Sequence, residues 1–282
     1  LLLRKKSTIY YFVSFFIGSP YLMSTIGIKY LMKQENSPTG TFSVLSYNLG
    51  SLKTFSPKDG ENEPRKVFTN WLLQDNADIM CFQEFESLPW SEEFDILERL
   101  DKKDARYYFS HPVQNPNPRF AKGGILIVTR YPIVNHGDIF ASKNGFNRAC
   151  YADVVIREDT IRIINVHLES MGLVITPRNL VNPDKARSSA MTILRKLKVG
   201  TFERSEQNKK LVAFIDASPY PVICAGDFND LPYTYSYQLL KSRMKNSFEE
   251  SGKGFGFTYG GRLLRMLRID NQFYTHPIKS TE

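Results

Sequence analysis

Short apolar runs alternate with longer amphipathic stretches through most of the chain. Phe42–Leu49, Asp78–Phe85, 106–111, Gly124–Arg130, Ile133–Ser142, Ala149–Arg157, Thr160–Leu168 and the run ending at Gly226-Asp227 read as strands, with a last one at 266–273. Several lack a polar side altogether, as in Val222-Ile-Cys-Ala225, the pattern of strands covered on both faces. Apolar residues at helical spacing mark 61–74, Trp90–Lys103, Pro183–Leu197, Glu203–Asp216 and Tyr233–Leu240. Pro64 stands early in the first of these; Ser91 can cap the second, with Glu92 and Glu93 in its first turn. Ser251–261 reads as a Gly-rich loop. Strands buried on both sides and flanked by long helices predict an α/β fold: a four-layer sandwich of two packed mixed β-sheets with helices outside.

The amino-terminal pattern differs. Between Lys6 and Lys29, Ser7–Ile28 carries no charge, and its 22 residues suffice on length to cross a bilayer. Gly18-Ser19-Pro20 would kink the helix, and Tyr10, Tyr11, Tyr21 and Tyr30 could serve as interfacial anchors. A transmembrane helix is therefore expected in a membrane-anchor segment 1–33, followed by a polar linker 34–40 and one domain over 41–282. With Arg4-Lys5-Lys6 on the cytoplasmic side, the membrane-anchored domain would lie outside, although Lys29 and Lys33 blunt that asymmetry.

Composition removes some classes of function. Three cysteines without a CxxC pair and four scattered histidines give neither a disulfide framework nor a zinc centre. The net charge of +8 resembles a nucleic-acid signal until it is divided: Arg4, Lys5, Lys6, Lys29 and Lys33 lie within 1–33, which has no acid, so the rest carries only +3. Lys185–Lys210 holds eight Lys or Arg and reads as the solvated face of helices.

The chemistry is concentrated at strand ends. Ser43-Val-Leu-Ser-Tyr-Asn48 closes on Asn48, Asp78-Ile-Met-Cys-Phe-Gln-Glu84 on Glu84, Ile161-Arg-Ile-Ile-Asn-Val-His167 on His167, and Arg268-Ile-Asp270 carries Asp270. Pro221-Val-Ile-Cys-Ala-Gly-Asp-Phe-Asn229 ends in Asp227 and Asn229, with Phe228 turned the other way. Gly226 removes a side chain where a close approach to the backbone can be needed. Each residue alone has an ordinary reading as a cap, turn or satisfied core polar group. Together they need a common explanation, because burying so many polar groups unpaired is costly.

LSYN, FQEF, NVHLES, AGDFNDLP and RID, in this order, resemble the endonuclease/exonuclease/phosphatase superfamily, the fold of pancreatic deoxyribonuclease. The resemblance runs from about Phe42 to the end of the sequence. It implies a divalent-metal phosphoester hydrolase of phosphodiesterase or nuclease type. Glu84 would hold Mg²⁺ or Mn²⁺, with Asn48 as a second oxygen donor. Asp227 would orient or deprotonate the attacking water, Asn229 and His167 would bind the phosphate, and Asp270 would orient a second histidine. Carboxylate and amide oxygens suit such hard cations independently of the resemblance. The family's closing Ser-Asp-His motif is absent, and His276 has other neighbours. The expectation is a truncated carboxy terminus, the alternative a decayed site.

The substrate expected is a phosphoester in nucleic acid, a phospholipid or a small phosphodiester, acted on by a monomeric domain tethered to a membrane. A phosphomonoesterase or lipid phosphodiesterase is one alternative. A non-catalytic binding module of the same fold is another.

Overall fold

A computed structural model describes residues 5–28, 40–50, 63–72, 74, 77–102, 107–112, 122–142, 145, 147–170, 183–260 and 267–281. Tyr30, Lys29, Lys33 and all but the last residue of the expected linker lie outside them. The elements in order are α1 (Lys5–Met23), β1 (Ile26–Ile28), β2 (Val44–Asn48), α2 (Glu63–Leu72), β3 (Ile79–Ser87), α3 (Ile96–Asp101), β4 (Tyr107–Pro112), β5 (Lys122–Thr129) and β6 (Ile133–Ala141). They continue with β7 (Arg148–Ile156), β8 (Asp159–His167), α4 (Pro183–Asp216), β9 (Val222–Asp227), α5 (Tyr235–Lys241), β10 (Lys245–Asn246), α6 (Ser247–Ser251), β11 (Lys253–Phe255) and β12 (Asp270–Tyr274).

Two mixed sheets form, as the strand pattern predicts. One has the order β2-β3-β5-β4, the other β10-β12-β9-β8-β7-β6. β2–β3 and β8–β9 are parallel; the remaining pairs in these two sheets are antiparallel. Three apolar clusters separate the layers. Ile79, Cys81, Ile127, Cys150, Ile163 and Ile223 fill the space between the sheets. Met80, Phe82 and Phe85 pack outward with Leu72 of α2 and Ile96 and Leu100 of α3. Ile164, Val166, Cys224 and Phe273 pack outward with Leu211, Val212 and Ile215 of α4 and Leu240 of α5. Odd positions of β8, β9 and the first part of β3, Ile79–Phe82, therefore face the other sheet and even positions face helices, as a period of two requires. Burial keeps the thiols inert: it pushes Cys81 up to about 12 and raises Cys150 and Cys224.

The helices depart from expectation in three places. The uncharged amino-terminal run is not one helix. α1 stops at Met23, and Ile26–Ile28 turns into a strand paired with Lys253–Phe255, inside the stretch expected to be a loop. The uncharged part of α1, Ser7–Met23, rises about 1.5 Å per residue and so spans roughly 26 Å, short of the ~30 Å hydrocarbon layer. Ser, Thr, Tyr, Gly and Pro dilute its hydropathy further, and no described helix is long and apolar enough to cross a membrane. The expected transmembrane helix is not found. Secondly, the helix expected over Trp90–Lys103 begins only at Ile96, because Asp95 rather than Ser91 caps it, accepting from the Glu98 amide. Finally, the two helices expected over Pro183–Asp216 are one: Gly200 sits buried inside continuous α4, where a glycine costs about 1 kcal/mol against Ala yet does not break the helix.

Candidate active site

At one rim of the sandwich, cross-strand neighbours on the inner face of the larger sheet form a row. Arg148 of β7 lies opposite His167 of β8, His167 beside Asp227 of β9, and Asp227 beside Asp270 of β12. Asn48 ends β2 in the facing sheet, and Glu84 lies in the neighbouring β3. Chain positions from 48 to 270 thus meet at one edge, as the strand-end pattern predicts.

Two backbone features make the meeting possible. The β8–β9 pair closes tightly because residue 226 has no side chain: a Cβ there would stand 2.0 Å from the Val166 carbonyl oxygen, and φ is +148°. Gly226 is thus the close approach that the sequence implies, and what approaches is the strand carrying His167. The second feature is a bulge in β3. Phe82 pairs with Leu126 and Phe85 with Gly124, so Gln83 and Glu84 together oppose Ile125 alone. Strict alternation would have sent Glu84 outward with Met80 and Phe82. The bulge, with φ +47° at Glu84, places it instead on the rim.

The Asn48 amide nitrogen donates to Glu84 Oε1 at 3.2 Å and to Asp227 Oδ2 at 3.0 Å. His167 Nε2 lies 3.7 Å from Glu84 Oε1. Asn48 and His167 thus flank Glu84, and Asn48 bridges it to Asp227. Asn48 Oδ1 is turned away and accepts from the Gly50 amide at 2.9 Å. Asn48 therefore presents nitrogen, not the expected oxygen, to the carboxylates in this rotamer.

Asp227 is only 4% exposed, and its Oδ1 accepts from the Asn229 amide at 2.7 Å. Burial raises its carboxyl above the ordinary range, the neighbouring His167, the Asn229 amide and Asn48 pull it back, and Glu84 pushes it up. β9 ends at Asp227, so Asn229 does not continue the strand. It takes a left-handed φ of +48° and donates through Nδ2 to the Leu168 carbonyl at 2.9 Å. The motif does start a turn, and the Asp227 carboxylate that accepts from the turn's amide also faces Asn48.

Asp270 lies against Asp227. Burial first, and then the Asp227 charge, push its carboxyl up to about 7, while the Thr258 hydroxyl holds it down. His276 follows β12 at the strand's far end from Asp270, so it is not the histidine that Asp270 would orient. Sequence reasoning missed the supports. Arg148 shares the row and is buried. Arg204 of α4 donates to the Glu169 carbonyl at 3.1 Å and lies 3.5 Å from Asp230, while Gln207 Oε1 accepts from the Glu169 amide. They fix the segment that leaves His167. An Asn at an inward position of a buried strand, Asn165, was the legible signal that went unread.

Among the described residues no group of three or more His, Cys, Asp or Glu could hold a metal. The set that does converge is two carboxylates, which are hard donors, beside an amide whose oxygen is turned away. It fits Mg²⁺ or Mn²⁺, which bind through one or two carboxylates and complete their shells with water and phosphate. A cavity of about 730 Å³ lies at the opposite end of β2, lined by Val44, Asp78 and Tyr274. A groove of about 820 Å³ along α4 reaches Glu169 and Ser170, and carries both signs: Arg195, Lys196 and Lys210 beside Glu169, Glu203 and Glu206.

Several solved structures share the fold. An endonuclease/exonuclease/phosphatase family protein from Leptotrichia buccalis C-1013-b is 15% identical, covers 85% of this chain and 89% of its own, and superposes with a TM-score of 0.54. The 3′ phosphatase NExo from Neisseria, in a variant bound to product DNA hairpin, gives 15% identity, 84% and 87% coverage and a TM-score of 0.55. D. rerio TDP2 complexed with single strand DNA product gives 16%, 83% of each chain and 0.53. No curated protein matches the sequence. The model of the Endonuclease/Exonuclease/phosphatase family matches residues 45–281, from the strand that ends in Asn48 to beyond the strand that opens with Asp270, and the chain belongs to that family.

Proposed function

We propose that this chain hydrolyses phosphoester bonds of nucleic acid with the help of a divalent metal ion. One observation carries the reading: a single amide nitrogen, Asn48 Nδ2, lies within hydrogen-bond reach of both Glu84 and Asp227, with His167 beside Glu84. Four segments far apart in sequence supply these groups, and two buried or half-buried carboxylates share one neutral donor. A divalent metal ion would supply positive charge to offset these two carboxylates.

Glu84 would hold Mg²⁺ or Mn²⁺. Asn48 would join it only with its amide reversed, at the loss of its bond to Gly50. The ion, when bound, neutralises charge on a phosphate oxygen and makes the phosphorus easier to attack. The protein's own groups do the rest. Asp227, held by the Asn229 amide and made more basic by burial, takes the proton of the attacking water. Asn229 Nδ2 uses one hydrogen on Leu168 and retains another for a phosphate oxygen. His167, fixed at the end of β8, donates to the phosphate from the Glu84 side. Asp270 stands behind Asp227, where a shared proton relieves the repulsion between two adjacent carboxyls.

The choice of nucleic acid rests on fold relatives that were solved with DNA products. The mixed charge of the α4 groove supplies no single-sign field, so phosphate recognition has to occur at the rim. The test is hydrolysis by the purified chain, with and without Mg²⁺ or Mn²⁺, of a 3′-phosphorylated DNA hairpin, single-stranded DNA, RNA, a small aryl phosphodiester and sphingomyelin. Metal-dependent release from the nucleic acids supports the reading, and preference for sphingomyelin redirects it to lipid. Binding without turnover of any substrate would make the chain a non-catalytic module.

A further inference from the structure

The bulge that delivers Glu84 to the rim is held from the opposite sheet. Asn165 of β8 is fully buried, two residues before His167 on the same inward face. Its Nδ2 donates to the Phe82 carbonyl at 2.9 Å and to the Leu126 carbonyl at 3.0 Å. Those carbonyls belong to the last regular pair before the register shifts. Its Oδ1 accepts from Gln83 Nε2 at 2.7 Å, so every hydrogen-bonding position but one lone pair of the amide is engaged on the bulge.

Gln83 is equally buried, and its Nε2 also reaches Ser46 Oγ and the Cys81 carbonyl, both at 3.3 Å. Its Oε1 finds no hydrogen-bond partner among the described residues. A buried unsatisfied carbonyl of this kind costs about 1–3 kcal/mol. The packing tolerates it because the nitrogen is committed to Asn165, and reversing the Gln83 amide would set two oxygens against each other.

We infer that Asn165, with Gln83, is a positioning residue for the metal carboxylate: it locks the β3 bulge in the register that turns Glu84 to the rim, and ties that register to the strand bearing His167. The inference rests on the reading of Glu84 as metal ligand. Without the clamp, β3 can relax toward regular pairing with β5, which returns position 84 to the helix-facing side beside Met80 and Phe82. Metal affinity would then fall while the phosphate-contacting groups on β8 and β9 keep their places. Groups that orient a metal ligand typically alter metal affinity or activity by about 10–100-fold when removed.

The experiment is titration of the full chain with Mn²⁺ by calorimetry, beside steady-state kinetics at varied metal and substrate. Asn165→Leu is expected to weaken Mn²⁺ binding by about tenfold or more, within that range, and to lower kcat at fixed metal, with KM for substrate little changed. Glu84→Gln should weaken Mn²⁺ binding at least as much. Gln83→Leu removes one of the three bonds of Asn165, along with the Gln83 contacts to Ser46 and Cys81, and keeps the two to the bulge carbonyls; it should give a smaller loss of affinity and guards against misfolding of the Asn165 variant. Gln83→Leu/Asn165→Leu separates positioning from packing. A purely structural pair would let two matched apolar side chains restore Mn²⁺ affinity together with melting temperature, whereas a positioning pair leaves affinity low. Folded Asn165→Leu and Gln83→Leu proteins that both bind Mn²⁺ within about twofold of wild type, against the loss expected for a displaced ligand, overturn the positioning role while Glu84→Gln still shows its loss. Wild-type protein with no Mn²⁺ binding overturns the metal reading and this inference with it.

Discussion

Two buried polar clusters, whose Arg268 and Asp270 stand two residues apart in the chain, handle charge in opposite ways. Around Arg268 everything is answered. Its guanidinium donates to the Ser24 carbonyl at 2.5 Å, to Tyr237 Oη and Asn271 Oδ1 at 2.6 Å, and to Asn246 Oδ1 at 3.1 Å. It lies 4.9 Å from the centre of the Phe248 ring, and Tyr237 passes the interaction on to Glu249, which meets Lys241 at the surface. Around Asp227 the opposite holds: Glu84 and Asp270 crowd it, and one asparagine nitrogen serves two of the three carboxyls. Burial lowers the Arg268 guanidinium, but its partners hold it charged. Burial raises Asp227 and Asp270 with too few donors to compensate. A cluster that closes on itself holds a fold together, and a cluster left short of positive charge is ready for a ligand that brings it.

The sharpest way to break the contrast is to neutralise each centre. Asp227→Asn keeps the shape and removes the proposed base, so turnover should fall by about 10²–10⁴-fold. The melting temperature should hold or rise, because a desolvated charge is gone. Turnover near the wild-type rate would place the base elsewhere. Arg268→Met should do the reverse, costing about 3–5 kcal/mol in urea unfolding, since its partners are left buried and unpaired. Stability within about 1 kcal/mol of wild type, well short of that penalty, would show that the two clusters do not differ in this way.

A third change tests the seam between the strands. Gly226→Ala places a Cβ against the Val166 backbone, so β8 and β9 must part. Overpacking of this kind costs about 1–3 kcal/mol, occasionally more. His167 and Asp227 should separate with it, so activity is expected to fall further than stability alone explains.

A fourth test concerns pH. Asp270 has a folded-state value raised to about 7 from an ordinary 3.8. Protonated in the folded chain and ionised in the unfolded one, it makes metal-free protein lose stability as pH climbs from about 4 through 7. Melting curves in EDTA should show this decline, and Asp270→Asn should flatten it. A decline of the same size in the variant would assign the titration to another group.

Much of the layered architecture could be read from the chain, because the strands between the sheets are apolar on both sides and the period of two is clean. The strand-end residues were legible as a group for the same reason: Asp227 and His167 are polar where their neighbours are not. Three other features were hidden for identifiable reasons. Glu84 lies out of phase with its strand, and an added residue in the ladder leaves no mark on periodicity. Lack of charge in Ser7–Ile28 says nothing about where a helix stops, and Thr25 at the turn accepts from Gly256, a partner more than two hundred positions away. Asn48 reads as an oxygen ligand, but residue type does not specify which end of an amide faces inward.

The pairing of Ile26–Ile28 with Lys253–Phe255 has a mechanical consequence. The carbonyl of Ser24, just ahead of that strand, is gripped by Arg268, and Arg268 is two residues from Asp270. Force or displacement applied to the leading helix would therefore be delivered first to the segment that seats a carboxyl beside Asp227. The amino-terminal arm is thus tied, through Arg268, to the edge where Asp270 and Asp227 meet.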